Sequence, residues 1–148
     1  MSDADHGDPG TALGRFLAAQ ADTYDGVLRE LRAGEKRSHW MWFIFPQLAG
    51  LGYSSTARHF AIRDLAEARS YLRHPTLGAR LLACTRTVLE TEDRSAREIF
   101  GTVDELKFRS CMTLFALVAG PESVFQQALD RYFAGQPDRL TLDLLGPP

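Results

Sequence analysis

Apolar residues recur every three to four positions along most of this chain, which is the spacing of amphipathic helices. The first such stripe covers residues 13–33 and ends at Gly34, a residue type that often terminates helices. A kink at Asp22 and Thr23 would divide this segment in two. The pattern therefore predicts either one long helix or two shorter helices at the start of the fold.

Helix-start and helix-stop residues divide the rest of the chain. Pro75 and Pro121 are predicted at first helical positions, and Thr102 with Glu105 has the S/T-x-x-E pattern of a capping box. The predicted helices cover residues 55–60, 65–73, 75–88, 102–118 and 121–135, with shorter turns or helices at 95–100 and 137–146. The predicted fold class is all-α: a compact single-domain bundle of about six to eight helices of unequal length with short connections.

The segment KRSHWMWFIFPQLAGLGYSS, residues 36–55, holds both tryptophans, Trp40 and Trp42, together with Phe43 and Phe45. Its composition suits a β-strand, but no partner strand is predicted elsewhere, and a lone strand leaves its backbone hydrogen bonds unmade. We therefore predict a short buried helix that runs into an ordered turn. At least one indole should be largely buried, with its N–H bonded to an oxygen atom.

Composition and charge argue against a nucleic-acid-binding protein and against a membrane-spanning protein. The chain has 148 residues and a formal net charge of −2, so no global basic field attracts nucleic acid. Residues 1–12 are predicted to be a disordered N-terminal segment, and residues 13–148 a single helical domain. No signal peptide and no apolar run long enough to span a bilayer is found. We expect a cytoplasmic monomer or weak homodimer that contacts neither nucleic acid nor membrane.

Motifs of known chemistry are absent from the sequence. There is no Walker loop, no G-x-S-x-G, no H-E-x-x-H and no dinucleotide-binding glycine motif. The four histidines lack metal-ligand spacing, so neither a metal nor a cofactor is expected. Cys84 and Cys111 fall inside apolar helical patterns and are expected to be buried free thiols.

Polar residues on an apolar helix face give a more specific indication. At 100° per residue, Asp104 and Lys107 lie one turn apart on the face that carries Phe108 and Phe115, with Ser110 beside them. An unpaired buried charge costs several kcal/mol, so we expect both to be mostly buried and paired with each other or with a third polar group. The pair either closes the edge of the core or meets a ligand, and the sequence favours neither alternative.

Three other polar residues fall beside apolar clusters. Gln20 lies within the stripe of the first helix, and His39 and Gln47 flank the aromatic segment. Each alone is better explained as a packed side chain, but together with Asp104 and Lys107 they are too many for one small core unless they share a cavity. Glu67 and Tyr71, in contrast, are predicted to lie on an exposed helix face.

Lysine is rare in this chain, since only Lys36 and Lys107 among the seventeen basic residues are lysines. A position that keeps lysine against this bias suggests a need for a compact ammonium group. Lys107 is ranked above Lys36 as the residue that meets a ligand anion or the Asp104 carboxylate, because Lys36 lies in the exposed-looking run GEKRSH.

Four stretches resemble the DUF1810 family of bacterial and fungal proteins, also called Rv1873-like. They are HWMWFIFPQLAGLG, EARSYLRHPTLGARL, IFGTVDELKFRSCMTLFA and GQPDRLTLDLL, and the resemblance covers residues 15–145. It implies a small all-α fold and transfers no catalytic residues. In size and helical content the chain is also similar to YbiA-like domains, which act on ADP-ribose derivatives, but it shares no motif with them.

These observations lead to two hypotheses. The first is a pocket for a small anionic or nucleotide-like ligand, of ADP-ribose type for example, in a protein that either only binds this ligand or is an enzyme acting on it. Its residues would be Trp40, Trp42, Phe45, Lys36, Lys107, Gln47, Gln20 and Ser110, with Asp104 or His39 as the general acid/base. The alternative is a non-catalytic interaction module that docks a partner through residues 39–47.

Overall fold

The computed structural model describes residues 12–146, and this part of the chain is entirely helical apart from its loops and one isolated bridge. Seven of the nine helices within residues 12–146 have at least seven residues, which confirms the all-α class. The helices are α1 Gly14–Gln20, α2 Tyr24–Arg32, α3 Met41–Ile44, α4 Ser55–His59, α5 Leu65–Arg73, α6 Leu77–Leu89, α7 Ala96–Ala119, α8 Val124–Phe133 and α9 Arg139–Leu145. The disordered segment predicted for residues 1–12 lies, except for Ala12, outside the described residues.

Helix α7 is the centre of the fold. It packs against α8, α5, α9 and α3, and its Cys111 lies in the hydrophobic core. Ser95 and Glu98 form a capping box at its start. Gly101 interrupts the helix with φ 89° and ψ 169°, a conformation that only glycine adopts without strain. The helix therefore consists of a short first part and a long second part that meet at Gly101.

The aromatic segment forms the predicted short helix, α3, followed by an ordered turn. Trp40, Met41, Ile44 and Phe45 are buried in the core. After the turn, Leu48 pairs with Ile62 in a single parallel bridge, where the Ile62 N–H donates to the Gln47 carbonyl at 2.9 Å. The helix satisfies backbone groups of residues 40–45 locally, and Ile62 satisfies those of Gln47 and Ala49.

Several predicted helix starts are displaced. Helix α6 begins at Leu77 and not at Pro75, because the His74 Nδ1 atom accepts the N–H groups of Thr76 and Leu77 and so caps the first turn. Helix α8 begins after Ser123, whose hydroxyl accepts the Gln126 N–H. The capping box predicted at residues 102–105 is wrong: it forms at Ser95 and Glu98.

The first predicted segment is divided at Asp22 and Thr23, which confirms the alternative of two helices. The Thr23 hydroxyl donates to the Ala19 carbonyl at 3.0 Å, and its N–H donates to the Gln20 carbonyl at 3.1 Å. Side chains that bond to the preceding turn compete with a continuous helix. Gly34 ends the second helix with φ 76°, as predicted.

The prediction of an exposed face at Glu67 and Tyr71 is wrong. Both are buried, and Glu67 accepts the Arg63 N–H at 2.8 Å and an Arg15 guanidinium N–H at 3.3 Å. Arg15 in turn donates to the His59 and Ala61 carbonyls, each at 2.7 Å. A buried carboxylate needs such donors, and here they fasten α1 and the loop after α4 to α5.

Candidate functional site

Asp104 lies between the two lysines of the chain. Its Oδ2 atom is 2.8 Å from the Lys36 Nζ atom, and its Oδ1 atom is 3.6 Å from the Lys107 Nζ atom. The exposed fraction of the side chain is 20% for Asp104, 21% for Lys107 and 8% for Lys36. This confirms that Asp104 and Lys107 are mostly shielded and paired, and adds Lys36 as the third polar group.

Lys36 reaches Asp104 because its backbone is fixed first. Its N–H donates to the Ile99 carbonyl at 2.8 Å, on the short part of α7 before Gly101. Its side chain then crosses to Asp104 on the long part of the helix. Lys107 contacts Asp104 as expected, but for this carboxylate the ranking above Lys36 is wrong, since Lys36 makes the shorter contact. For a ligand anion, the ranking stays a prediction.

Each lysine also lies over one tryptophan. The Lys36 Nζ atom is 5.2 Å from the centre of the Trp40 ring, and the Lys107 Nζ atom is 5.9 Å from that of Trp42. Both distances are within the range of cation–π attraction. Trp40 is only 1% exposed, whereas Trp42 is half-buried.

Glu30 holds Trp40 in place. Its carboxylate accepts the Trp40 indole N–H at 2.9 Å and the N–H groups of Arg37 and Ser38 at 2.7 Å and 3.0 Å. This confirms the prediction of a buried indole with its N–H bonded to oxygen. Burial disfavours the charged carboxylate, but the hydrogen bonds from Ser38, Arg37 and Trp40 outweigh it and lower the pKa of Glu30 to about 2.

A groove of about 610 Å³ opens beside Trp42 and Lys107. Four parts of the chain line it. From α3 and the following loop come Trp42, Gln47 and residues 51–54, and from α4 comes Ala57. Helix α7 contributes Val103, Leu106, Lys107 and Ser110, and the start of α9 contributes Asp138 and Leu140. Several of its apolar side chains are exposed, including Tyr53, Val103, Leu106 and Leu140. The groove combines one ammonium group, one carboxylate and several hydroxyl or amide groups with apolar walls.

Four of the residues predicted for the site line this groove: Trp42, Gln47, Lys107 and Ser110. The Gln47 side-chain amide makes no hydrogen bond to other groups in residues 12–146, so both its oxygen and its nitrogen are available there. The Ser110 hydroxyl donates to the Leu106 carbonyl at 3.0 Å and keeps acceptor capacity. Lys36 contacts both Trp40 and Asp104, and Asp104 contacts Lys107, but none of Lys36, Trp40 and Asp104 lines the groove.

Gln20 has a different environment. Its amide nitrogen donates to the Phe43 carbonyl at 2.8 Å and to the Tyr71 hydroxyl at 3.2 Å. Its oxygen accepts an Arg80 guanidinium N–H at 3.3 Å. All the polar atoms of this side chain are thus used in joining α1 to α3, α5 and α6, and none of them reaches the groove.

Phe45 and His39 also lie outside the groove. Phe45 is 1% exposed and packs edge-on against Phe100 and Phe108, with ring centres 5.9 Å and 5.1 Å apart. His39 is exposed and forms no hydrogen bond or ion pair within residues 12–146. The structure therefore does not bring the two predicted acid/base residues, His39 and Asp104, together.

Sequence reasoning missed three residues that shape the site. Glu30 is ten positions before Trp40, and Asp138 and Tyr53 enter the groove from α9 and from the loop after α3. No local pattern links these positions to α7. The exposed aromatic Tyr53, next to two glycines and two serines, is the one residue whose neighbourhood in the sequence suggests a binding loop.

Both cysteines of the chain lie in the hydrophobic core. Cys84 and Cys111 are buried free thiols, as predicted, and burial raises the pKa of Cys84 to about 12. Within the described residues, no group of three or more His, Cys, Asp or Glu side chains is arranged to hold a metal ion. None of the helices between residues 12 and 146 is long and apolar enough to cross a membrane.

A protein-family model and a solved structure both match this chain. The family model described as "Protein of unknown function (DUF1810)" matches residues 10–145, so the chain belongs to this family. The conserved hypothetical protein Rv1873 from Mycobacterium tuberculosis has 49% sequence identity to this chain. Its crystal structure matches with a TM-score of 0.89, and the match covers 92% of this chain and 97% of that one. No match is found among the curated proteins.

Proposed function

For this member of the DUF1810 family, we propose that the groove binds a small anionic compound with an aromatic ring, such as a nucleotide or an ADP-ribose derivative. The observation that carries this proposal is the charge of Lys107. Lys107 lines the groove, while the carboxylate it contacts is already bound at 2.8 Å by Lys36. Within the cluster of Lys36, Asp104 and Lys107, two ammonium groups and one carboxylate leave one positive charge. Because Asp138 also lines the groove, this positive charge is local to Lys107, where a ligand anion can balance it.

The aromatic side chains of the groove support the ring of such a ligand. Trp42 is half-buried, with Lys107 over its ring, and Tyr53 is 78% exposed in the same groove. Aromatic and apolar walls with a few polar groups are typical of small-molecule sites. A planar ring can therefore bury area against these walls without losing polar contacts.

The remaining polar groups favour a ligand that also carries hydroxyl groups. The Asp138 carboxylate faces the groove and accepts the N–H of Thr141 at 2.9 Å and its hydroxyl at 2.6 Å, both through Oδ2. Its Oδ1 atom can accept a further hydrogen bond from a hydroxyl. A compound with only anionic groups would meet repulsion there, so a sugar-containing anion suits the groove better.

The proposal concerns binding and assigns no reaction. Both oxygens of Asp104 are engaged by lysines, and Asp104 does not line the groove. His39 is outside the groove as well. A general acid/base must lie within hydrogen-bond reach of the group it serves, and neither residue meets this condition for a ligand in the groove.

Docking of a partner through residues 39–47 has weaker support. Most of this segment is in the core, including Trp40, Met41, Ile44 and Phe45. An interaction segment needs a contiguous exposed apolar surface. Only His39 within these nine residues is exposed.

A thermal-shift screen against nucleotides and ADP-ribose derivatives tests the proposal. A ligand present at 100 times its Kd should stabilise the protein by about 2.7 kcal/mol. Lys107→Met should abolish this shift, whereas Arg73→Gln, which removes an exposed charge outside the groove, should retain it. The proposal is wrong if no compound raises the melting temperature, or if Lys107→Met responds like the parent protein.

A further inference from the structure

We propose that Lys36, although it lies outside the groove, determines the charge that the groove presents. Lys36 contacts Oδ2 of Asp104 at 2.8 Å, and Lys107 contacts Oδ1 at 3.6 Å. The closer and more buried lysine balances most of the carboxylate charge. Because Lys36 balances the Asp104 carboxylate, the positive charge of Lys107 remains available to the groove.

Lys36 is held firmly enough for this role. Its backbone is bonded to the Ile99 carbonyl at 2.8 Å, and its ammonium group lies 5.2 Å from the centre of the Trp40 ring. It thus connects the two parts of α7 on either side of the break at Gly101. We regard Lys36 as a positioning residue, because it acts on the groove only through Asp104 and Lys107.

The neighbouring charges do not replace Lys36. Glu105, next to Asp104, forms its own ion pair with Arg97 at 2.7 Å. Asp138 lies in the groove with its carboxylate bonded to Thr141. Glu30 is occupied by the donors of residues 37, 38 and 40. No further cation contacts Asp104 within residues 12–146.

Counting the charges of Lys36, Asp104 and Lys107 predicts how each of three variants changes the charge at the groove. Lys36→Gln leaves Asp104 to be balanced by Lys107 alone, so the positive charge at the Lys107 wall of the groove is offset. Asp104→Asn releases both lysines and adds one positive charge. The double variant Lys36→Gln/Asp104→Asn removes one charge of each sign and should return the groove to the state of the parent protein.

Quenching of tryptophan fluorescence by iodide measures this charge without any knowledge of the ligand. Trp40 is 1% exposed and shielded from quenchers, so the quenched ring is Trp42, at the groove. Acrylamide, a neutral quencher, corrects for changes in exposure. At low ionic strength, one charge near the ring should change the iodide-to-acrylamide quenching ratio about twofold.

The expected order of this ratio is Asp104→Asn above the parent, the double variant equal to the parent, and Lys36→Gln below it. Trp42→Phe should remove most of the quenching, and Arg73→Gln should leave the ratio unchanged although it alters the net charge equally. An unchanged ratio in Lys36→Gln overturns the proposal. If Lys36→Gln does not fold, as judged by circular dichroism, an unchanged ratio in Asp104→Asn overturns it.

This inference builds on the proposed function in its choice of the groove, but the two can fail separately. If no compound in the thermal-shift screen binds while the iodide ratios follow the expected order, the role of Lys36 stands and the proposed ligand class is wrong. If a compound binds but Lys36→Gln leaves both its affinity and the iodide ratio unchanged, Lys36 does not set the charge of the groove.

Discussion

The two lysine–tryptophan pairs on either side of Asp104 have the same chemistry and different surroundings. Lys36 with Trp40 is closed off from solvent, and its indole N–H is bonded to Glu30 at 2.9 Å. Lys107 with Trp42 lies on the wall of a groove, and its contact with Asp104 is longer by 0.8 Å. The two pairs therefore differ in burial and in how many of their polar groups are already bonded, and not in residue type. We call the buried pair, Lys36 with Trp40, the scaffold, and the pair at the groove, Lys107 with Trp42, the candidate site.

The largest difference between the pairs should appear when the rings are removed. Trp40→Ala opens a cavity in the core and leaves Glu30 without one of its donors, so it should cost about 3–5 kcal/mol of unfolding free energy. Trp42→Ala removes a half-exposed ring and should cost about 1–2 kcal/mol. Urea denaturation of both variants measures this. Equal losses would mean that the two rings have the same structural role.

Removal of each ammonium group should also lower the unfolding free energy more at the buried pair than at the groove, but the difference should be smaller than for the rings. Lys36→Gln leaves a largely shielded carboxylate without its closest partner and should cost about 2–3 kcal/mol. Lys107→Gln breaks a longer and more solvated contact and should cost less than about 1 kcal/mol. Denaturant midpoints compare the two at one pH and salt concentration. A larger loss for Lys107→Gln would reverse the assignment of scaffold and site.

Glu30 gives the scaffold a dependence on pH. Its pKa is lowered from 4.5 to about 2 in the folded protein, so its contribution is complete above the unfolded pKa and is lost as the pH falls toward 2. Glu30→Gln should cost about 1–2 kcal/mol at pH 7. The difference between parent and variant should shrink between pH 5 and pH 2, as measured by thermal melts. A difference that stays constant over this range would contradict the low pKa.

Lys107→Arg is the mildest of these changes. It keeps the charge and changes the shape of the cationic group, so the unfolding free energy should alter by less than about 1 kcal/mol. The planar guanidinium is larger than the ammonium group, so it should meet Asp104 and the Trp42 ring in a different geometry, and affinity for any ligand found in the screen should fall. Titration of the parent and the variant with that ligand decides this. Equal affinities would show that the rarity of lysine carries no functional information.

Local patterns predicted the fold well and the site in part. Helical spacing identified the helices, the lack of a partner strand identified α3, and the face of α7 placed Asp104 beside Lys107. The contact of Lys36 with Asp104 could not be predicted, because it depends on the bond from Lys36 to Ile99 that joins the end of α2 to α7. Glu67 was misplaced for a similar reason, since its burial depends on Arg15 from a helix 52 residues away.

The most direct test of the account uses the two indole N–H signals of the protein in a ¹H–¹⁵N NMR spectrum, assigned with Trp42→Phe. Titration with adenosine monophosphate and with ADP-ribose should move the Trp42 signal in a saturable way and leave the Trp40 signal in place. Lys107→Met should remove this response. Movement of the Trp40 signal alone, or of neither signal, would contradict the claim that the pair at the groove is the binding site and the buried pair its scaffold.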